Sequence, residues 1–313
     1  MSKLSMKQIR KNIEKVIVGK EEVVDLFMTA LLAEGHILVD DVPGLGKTML
    51  SKTFAKSIEC SFQRIQFTPD LQPNDVTGFN YYNQKSGEFV FKQGPVMSNV
   101  VLTDEINRGV PRTQSSLLEV MEERQVTVDG KTYQLEEPFI VIATQNPVEL
   151  EGTFPLPEAQ LDRFLLKIEM GYPNMDEEVE ILRRFKSANP YQELQPVMKP
   201  EQILELRQQV KDIFVEDELL IYMTELVRRT RQHEDIRLGA SPRGALALLK
   251  ASTAYALVKG RDYVLPDDIK YLFPYVVEHR LILTEEAELR GIEKSTVINE
   301  VLSQVDVPVE EVS

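Results

Sequence analysis

Five short stretches carry residue types that suit one kind of chemistry. "DVPGLGKTML" (41–50) sets Gly44 and Gly46 ahead of Lys47 and Thr48. It is close to the phosphate-loop pattern G-x-x-x-x-G-K-[ST], with Asp41 where the first glycine usually stands. Backbone N–H groups between Pro43 and Thr48 would wrap phosphates at a helix N-terminus. Lys47 would reach the β and γ phosphates, and Thr48 would ligate Mg²⁺ through its hydroxyl. "VVLTDEIN" ends an apolar run on Asp104 and Glu105. Asp104 suits holding the water shell of the metal, and Glu105 suits polarising an attacking water. Asn146 in "IATQNP" could orient that water, although an Asn before Pro is also an ordinary turn former. Arg163 in "AQLDRFLLK" stands just before another apolar run. It can pair locally with Asp162 or reach a neighbouring subunit, where such an arginine contributes about 10³–10⁵ in rate. Arg243 in "SPRGALALLK" falls in the first turn of a helix, with Ser241 as N-cap and Pro242 at the first position. A cation there opposes the helix dipole unless an anion is close, and a γ-phosphate or a neighbouring acid both qualify. Asp41 more naturally caps the turn than faces phosphates, where like charges repel.

The elements that must position these residues follow from the pattern of apolar runs. "HILVD", "CSFQRIQFT", "SNVVLTDEIN", "PFIVIATQNP" and "RFLLKIEMGYP" read as five strands alternating with helices, which predicts a buried parallel sheet. The acids, Asn146 and the Gly-rich turn then lie at strand ends, where open α/β sheets bind ligands. From about residue 174 onward helical periodicity takes over, so a boundary falls near 172–190. Residues 76–95 and 124–139 alternate as hairpins, turned at Lys85-Ser86-Gly87 and at Asp129-Gly130. Both interrupt the core, and such insertions are where an α/β fold acquires specific function.

Composition excludes several classes. The chain has 313 residues with a formal net charge of −14, which disfavours a bound nucleic acid. Its one cysteine, Cys60, rules out a disulfide framework, and its three histidines show no zinc spacing. No apolar run has transmembrane length, so no membrane insertion is expected and the default setting is the cytoplasm.

"DVPGLGKT", "VVLTDEINR", "ATQNP", "LDRF" and "SPRG" stand in the order found in AAA+ ATPases. The strings "DEINRGVPRTQSSLLEVMEERQVTVDG" and "ATQNPVELEGTFPLPEAQLDRFLLK" resemble the MoxR family over almost the whole chain. The resemblance implies an α/β P-loop NTPase fold: an αβα core with a parallel five-stranded sheet over 1–172, then an all-helical lid over 173–313. It also implies a homo-oligomeric ring, commonly a hexamer, with ATP between subunits. Residues 76–95 correspond to the helix-2 insert and 124–139 to the pre-sensor-1 hairpin of the clade shared with magnesium chelatase. "VIVGK" (16–20) corresponds to the segment lining the adenine, with Lys20 where Gln is common. The implied nucleotide contacts are Val18, Gly19, Gly44, Leu45, Gly46, Lys47, Thr48 and Met49. Thr48 and Asp104 handle Mg²⁺, Glu105 the water, Asn146 is sensor 1, Arg163 the finger in trans and Arg243 sensor 2. Arg108 is a further candidate for the subunit interface. Asp41 agrees with the family, in which D-x-P-G-x-G-K-T recurs. The family's role is chaperone-like remodelling of client proteins, often beside a separate protein with a von Willebrand factor A domain. Two alternatives remain at this level: a nucleic-acid-dependent motor or transcription activator of the same superfamily, and a slow nucleotide-gated scaffold. "TGFNYYNQKSGEF" lacks the activator loop G-A-F-T-G-A, and the complete set Glu105, Asn146 and Arg163 speaks for turnover.

Overall fold

The computed structural model describes residues 2–40, 44–146, 152–186 and 189–308, with side chains from residue 6 onward. Two helices open the chain, α1 (Ser2–Glu14) and α2 (Glu21–Leu32). The nucleotide-type core follows in the order β1 (Ile37–Asp40), α3 (Lys47–Ser57), β2 (Phe62–Gln66), α4 (Pro73–Thr77), β3 (Gly78–Asn83), β4 (Glu88–Gln93), β5 (Val100–Asp104), α5 (Pro111–Glu123), β6 (Gln125–Val128), β7 (Lys131–Gln134), β8 (Ile140–Gln145), α6 (Glu158–Leu161) and β9 (Leu166–Ile168).

Five of these strands form one sheet in the order β2-β5-β8-β1-β9, and every pairing in it is parallel. The apolar runs explain this: central strands buried on both faces cannot alternate with polar residues. The two faces feed different cores. Ile37, Val39, Val100, Leu102, Ile140 and Ile142 join one cluster. Leu38, Val101, Val141 and Ala143 join the other, with Leu117, Leu118 and Phe164. That split is the two-residue side-chain period of a strand.

The hairpins stand outside the sheet. β3 and β4 pair antiparallel, as do β6 and β7. They are clasped to each other: Asn80 Nδ2 donates to Asp129 Oδ2 at 2.7 Å, and the rings of Phe91 and Tyr133 stack with centroids 4.0 Å apart. Tyr82 and Phe89 meet edge to face farther along the first hairpin and stay exposed.

The remaining chain is mostly helical: α7 (Met175–Phe185), α8 (Pro190–Glu193), α9 (Pro200–Val210), α10 (Asp217–Thr230), α11 (Pro242–Val258), α12 (Pro266–Val277), α13 (Glu285–Leu289) and α14 (Lys294–Gln304). Among its described residues this lid also holds an antiparallel pair, β10 (Ile236–Leu238) with β11 (Ile282–Leu283). Strands of three and two residues are too short to show a period, so the expectation of an all-helical lid misses them.

Lid and core share the larger apolar cluster. α2 packs against α1, β9, α9 and α11, which explains why its residues 23–32 are all buried. Asp25 is the one acid inside that block. It accepts from Arg10 Nη2 at 2.8 Å and from Lys259 Nζ at 2.8 Å, so it ties α1, α2 and α11 together. A second tie runs through Lys167 of β9, whose Nζ lies 2.8 Å from Asp40 Oδ2 and 2.9 Å from Glu278 Oε1. Burial pulls the Lys167 pKa down, but the carboxylates of Glu278 and Asp40 outweigh it and hold the ammonium charged above its usual range.

Candidate nucleotide site

β1 runs into the Gly-rich loop and α3 starts at Lys47. Gly44 and Gly46 have φ of +95° and +83°, and a Cβ at either would meet nothing within 4 Å. The left-handed backbone, not lack of space, therefore demands glycine here. Gly46 is the N-cap of α3 and offers no side-chain oxygen. The first N–H groups of the helix are thus left for an anion. Asp41, Val42 and Pro43, and with them the reading of Asp41 as a turn cap, lie outside the described residues.

A cleft of about 440 Å³ opens at the C-terminal ends of the strands, lined by Gly44, Gly46, Lys47, Thr48, Asp104 and Glu105 among others, with Asn146 at its edge. The structure thus brings together the loop, the acid pair and Asn146. Strand register does this, since Gln66 of β2 pairs with Asp104 of β5, and Thr103 pairs with Ala143 of β8.

Three residues that sequence reasoning missed organise the acids. Thr144 Oγ1 donates to Asp104 Oδ1 at 2.7 Å and accepts from the Glu105 N–H at 2.9 Å. Gln66 Nε2 donates to Glu105 Oε2 at 2.8 Å. Arg64 Nη2 lies 2.7 Å from Asp104 Oδ2 and 2.6 Å from the acceptor Gln66 Oε1. A signal existed in the period of two along β2, which puts residues 64 and 66 on one face. Their partners, however, depend on which strand lies alongside. Glu105 has φ +56° and ψ +50°. A non-glycine residue in that region is strained and persists only where neighbours hold it, as Thr144 and Gln66 do here. Arg108 Nη1 also donates to Glu105 Oε2, at 3.2 Å.

Among the described residues no group of three or more His, Cys, Asp or Glu side chains could hold a metal. Mg²⁺ does not need one, because it keeps several waters and binds through few protein ligands plus substrate phosphates. The Thr48 hydroxyl and Asp104 share the cleft and fit that donor set. Both Asp104 oxygens already have donors, so Asp104 suits the metal's water shell better than direct ligation.

A second cavity of about 480 Å³ shares Gly44, Gly46 and Met49 with the first. Val18, Leu45, Met170, Ile181 and Phe185 make it apolar, which suits a nucleobase. Gly19 has φ +68° and sits so close to Glu177 of α7 that a Cβ would lie 1.9 Å from Oε1. Lys20, the departure from the family pattern, donates to the carbonyls of Met170 at 2.6 Å and Gly171 at 3.1 Å. It straps the segment 16–20, which lines this cavity, to the linker that leads into the lid.

Two predicted site residues lie elsewhere. Arg163 and Arg243 line a separate cleft of about 950 Å³, beside His36 and Leu165, which precede β1 and β9. This is the opposite end of the sheet, about 13 Å away along a four-residue strand. Within one chain Arg243 therefore lines this cleft and not the one at Lys47. The lid sets this, because α11 packs along α2 and α12 and carries its N-terminus to that end. Arg243 Nη2 lies 3.8 Å from Glu122 Oε1, and both side chains are largely exposed, so the contact contributes little. Nor does Arg163 pair with Asp162. Asp162 is taken by Arg280 of the lid at 2.7 Å. Among the described residues the Arg163 guanidinium makes no hydrogen bond or ion pair.

Residues 36–166 match the family described as "ATPase family associated with various cellular activities (AAA)", and residues 228–301 match the AAA lid domain. The chain is 53% identical over 299 residues to the uncharacterized protein YeaC of Bacillus subtilis, covering 96% of this chain and 93% of that one. It is 43% identical over 305 residues to Chaperone MoxR1 of Mycobacterium tuberculosis, covering 95% and 80%. A crystal structure of a candidate ATPase from Cytophaga hutchinsonii superposes with a TM-score of 0.92 at 41% identity, covering 98% of this chain and 96% of that one. With the loop, acid pair and lid arranged as above, the chain belongs to the MoxR family of AAA+ ATPases.

Proposed function

We propose that the chain hydrolyses ATP to ADP and phosphate with Mg²⁺, within a ring of identical subunits, and uses the cycle to remodel partner proteins. The observation that carries this reading is the convergence of Lys47, Thr48, Asp104, Glu105 and Asn146 in one cleft that joins an apolar base pocket. In this reading Lys47 and the N–H groups that open α3 bind the β and γ phosphates. Thr48 and the Asp104 water shell hold the metal, which neutralises charge on those phosphates when bound. Glu105 takes the proton of the attacking water, with Oε2 held by Gln66 and Arg108 and Oε1 without a donor among the described residues. Asn146 orients the water.

A ring is supported by the place of the two arginines. Arg163 and Arg243 are built into a cleft at the far end of the sheet from the loop, so they suit the nucleotide of an adjacent subunit. A hexamer is the assembly the family resemblance suggests. The remodelling role leans on the MoxR relatives, one of them named a chaperone. The clasped hairpins at 76–95 and 124–139 are the surface we assign to clients and to a separate von Willebrand factor A partner. No helix among the described residues is long and apolar enough to cross a membrane. The single cysteine fits a reducing compartment such as the cytoplasm.

The test is Glu105→Gln. Nucleotide binding should be retained, and turnover should fall by about 10²-fold or more, the range expected for loss of a general base. Hydrolysis at the wild-type rate would overturn the role of Glu105. The same variant, trapped with ATP, then serves to capture clients.

A further inference from the structure

Arg280 is 7% exposed and ends the short turn Glu278–Arg280. A buried guanidinium is costly unless nearly all its N–H groups are used. Here most of them are used on one segment, residues 162–165. Arg280 Nε donates to Asp162 Oδ1 at 2.7 Å, and Nη2 donates to the carbonyls of Asp162 at 3.3 Å and Phe164 at 2.6 Å. Nη1 reaches the Leu165 carbonyl at 3.4 Å and also the Val276 carbonyl. His279 Nε2 lies 3.0 Å from the same Phe164 carbonyl. The lid thus grips the backbone on both sides of Arg163 and leaves the Arg163 side chain itself alone.

The second arginine is held from the same hub. Asp162 Oδ2 accepts from Ser241 Oγ at 3.4 Å. Ser241 caps α11 by accepting from the Arg243 N–H at 3.1 Å. Gly244, the next residue, lies over Arg280: a Cβ there would come 3.6 Å from Arg280 Cδ. One carboxylate and one buried guanidinium therefore fix the spacing of Arg163 and Arg243, which are 80 positions apart in the chain.

We propose that Asp162 and Arg280 are positioning residues that set Arg163 and Arg243 as one unit for the nucleotide held by an adjacent subunit. The inference rests on the ring reading above and adds the device that aims the two arginines. Because Arg280 belongs to the lid, the aim follows the lid of the same subunit.

The experiment uses full-length rings of Asp162→Asn, Arg280→Lys and, as reference, Arg163→Ala. Each is also mixed with Glu105→Gln, whose cleft is inactive but whose arginines are correctly set. Misplacing a reacting group by 1 Å can cost about 10²-fold. Alone, Asp162→Asn and Arg280→Lys should therefore lower kcat by about tenfold or more, with the Kd for a fluorescent ATP analogue unchanged within about twofold. In mixed rings their intact clefts meet well-aimed neighbours, so activity should rise well above the sum of the separate preparations. Rescue of Arg163→Ala without rescue of the other two would overturn this inference and leave the ring reading standing. No rescue of Arg163→Ala would overturn both. Wild-type kcat in Asp162→Asn and Arg280→Lys would overturn the inference, as would loss of folding in both by circular dichroism, since the pair would then be structural only. Arg280→Lys keeps the ion pair with Asp162 and guards against misfolding of Asp162→Asn alone.

Discussion

Replacing Thr144 by valine keeps the shape of the side chain and removes one hydroxyl. That hydroxyl lies between the two acids of the cleft, donating to Asp104 Oδ1 at 2.7 Å and accepting from the Glu105 N–H at 2.9 Å. Thr144 is 1% exposed, so water cannot easily take over. A hydrogen bond to a charged group contributes about 1.5–3 kcal/mol, and an orphaned buried N–H costs about 1–3 kcal/mol. The added methyl returns less than about 1 kcal/mol. The net loss is on the order of 2–4 kcal/mol, concentrated at the residue that holds Glu105 in its left-handed backbone. Released, Glu105 gains about 1–2 kcal/mol by leaving that region, so its carboxylate should move off the water. If about 2–3 kcal/mol of this appears in the transition state, kcat falls roughly 30- to 160-fold. The assay is steady-state ATP hydrolysis at saturating Mg²⁺, beside nucleotide binding measured by fluorescence. Binding should change little, because Lys47 and the α3 N-terminus are untouched. Thr144→Ser should retain most of the rate. A Thr144→Val rate within about threefold of wild type, less than 1 kcal/mol, would refute the claim that this hydroxyl sets the geometry of the acids.

Other outcomes follow from buried groups. His36 is fully enclosed, with Nδ1 accepting from the Val141 N–H and Nε2 bonded to the Met121 carbonyl, so only the neutral ring fits. Burial, with Arg124 and Arg207 nearby, lowers its pKa to about 4. The unfolded chain binds that proton first, so the contribution is complete above about pH 6.5 and fades as pH falls toward 4. Urea melts at pH 7 and 4.5 should show wild type losing up to about 3 kcal/mol more than His36→Gln across that window. Equal losses would show that His36 does not carry the acid sensitivity. Asp25→Ala should destabilise the junction of α1, α2 and α11 by about 1–3 kcal/mol, discounted because Arg10 and Lys259 keep partial access to water. A thermal melt unchanged from wild type would contradict that.

Much of the site is legible in the sequence because it is local. Gly44, Gly46, Lys47 and Thr48 are consecutive enough that a strand before them and a helix after them fix their geometry. Asp104 and Glu105 announce themselves by ending an apolar run, and the parallel sheet follows from runs that have no polar alternation. The hairpins are legible too, since alternation and turn residues are nearest-neighbour properties. What the tertiary structure alone decided involves residues far apart in the chain. Thr144, Gln66 and Arg64 look like unremarkable strand residues until the order β2-β5-β8 sets them beside the acids. Arg243 carries a helix-cap signature at a distance of nearly two hundred residues from Lys47, and nothing local says which end of the sheet its helix reaches. Asp162 precedes Arg163 in sequence, yet its partner is Arg280, 118 positions away. Backbone conformation and burial period act over a few residues and can be read from them. Partner choice between side chains depends on strand order and lid docking, and these are set by packing summed over the whole chain.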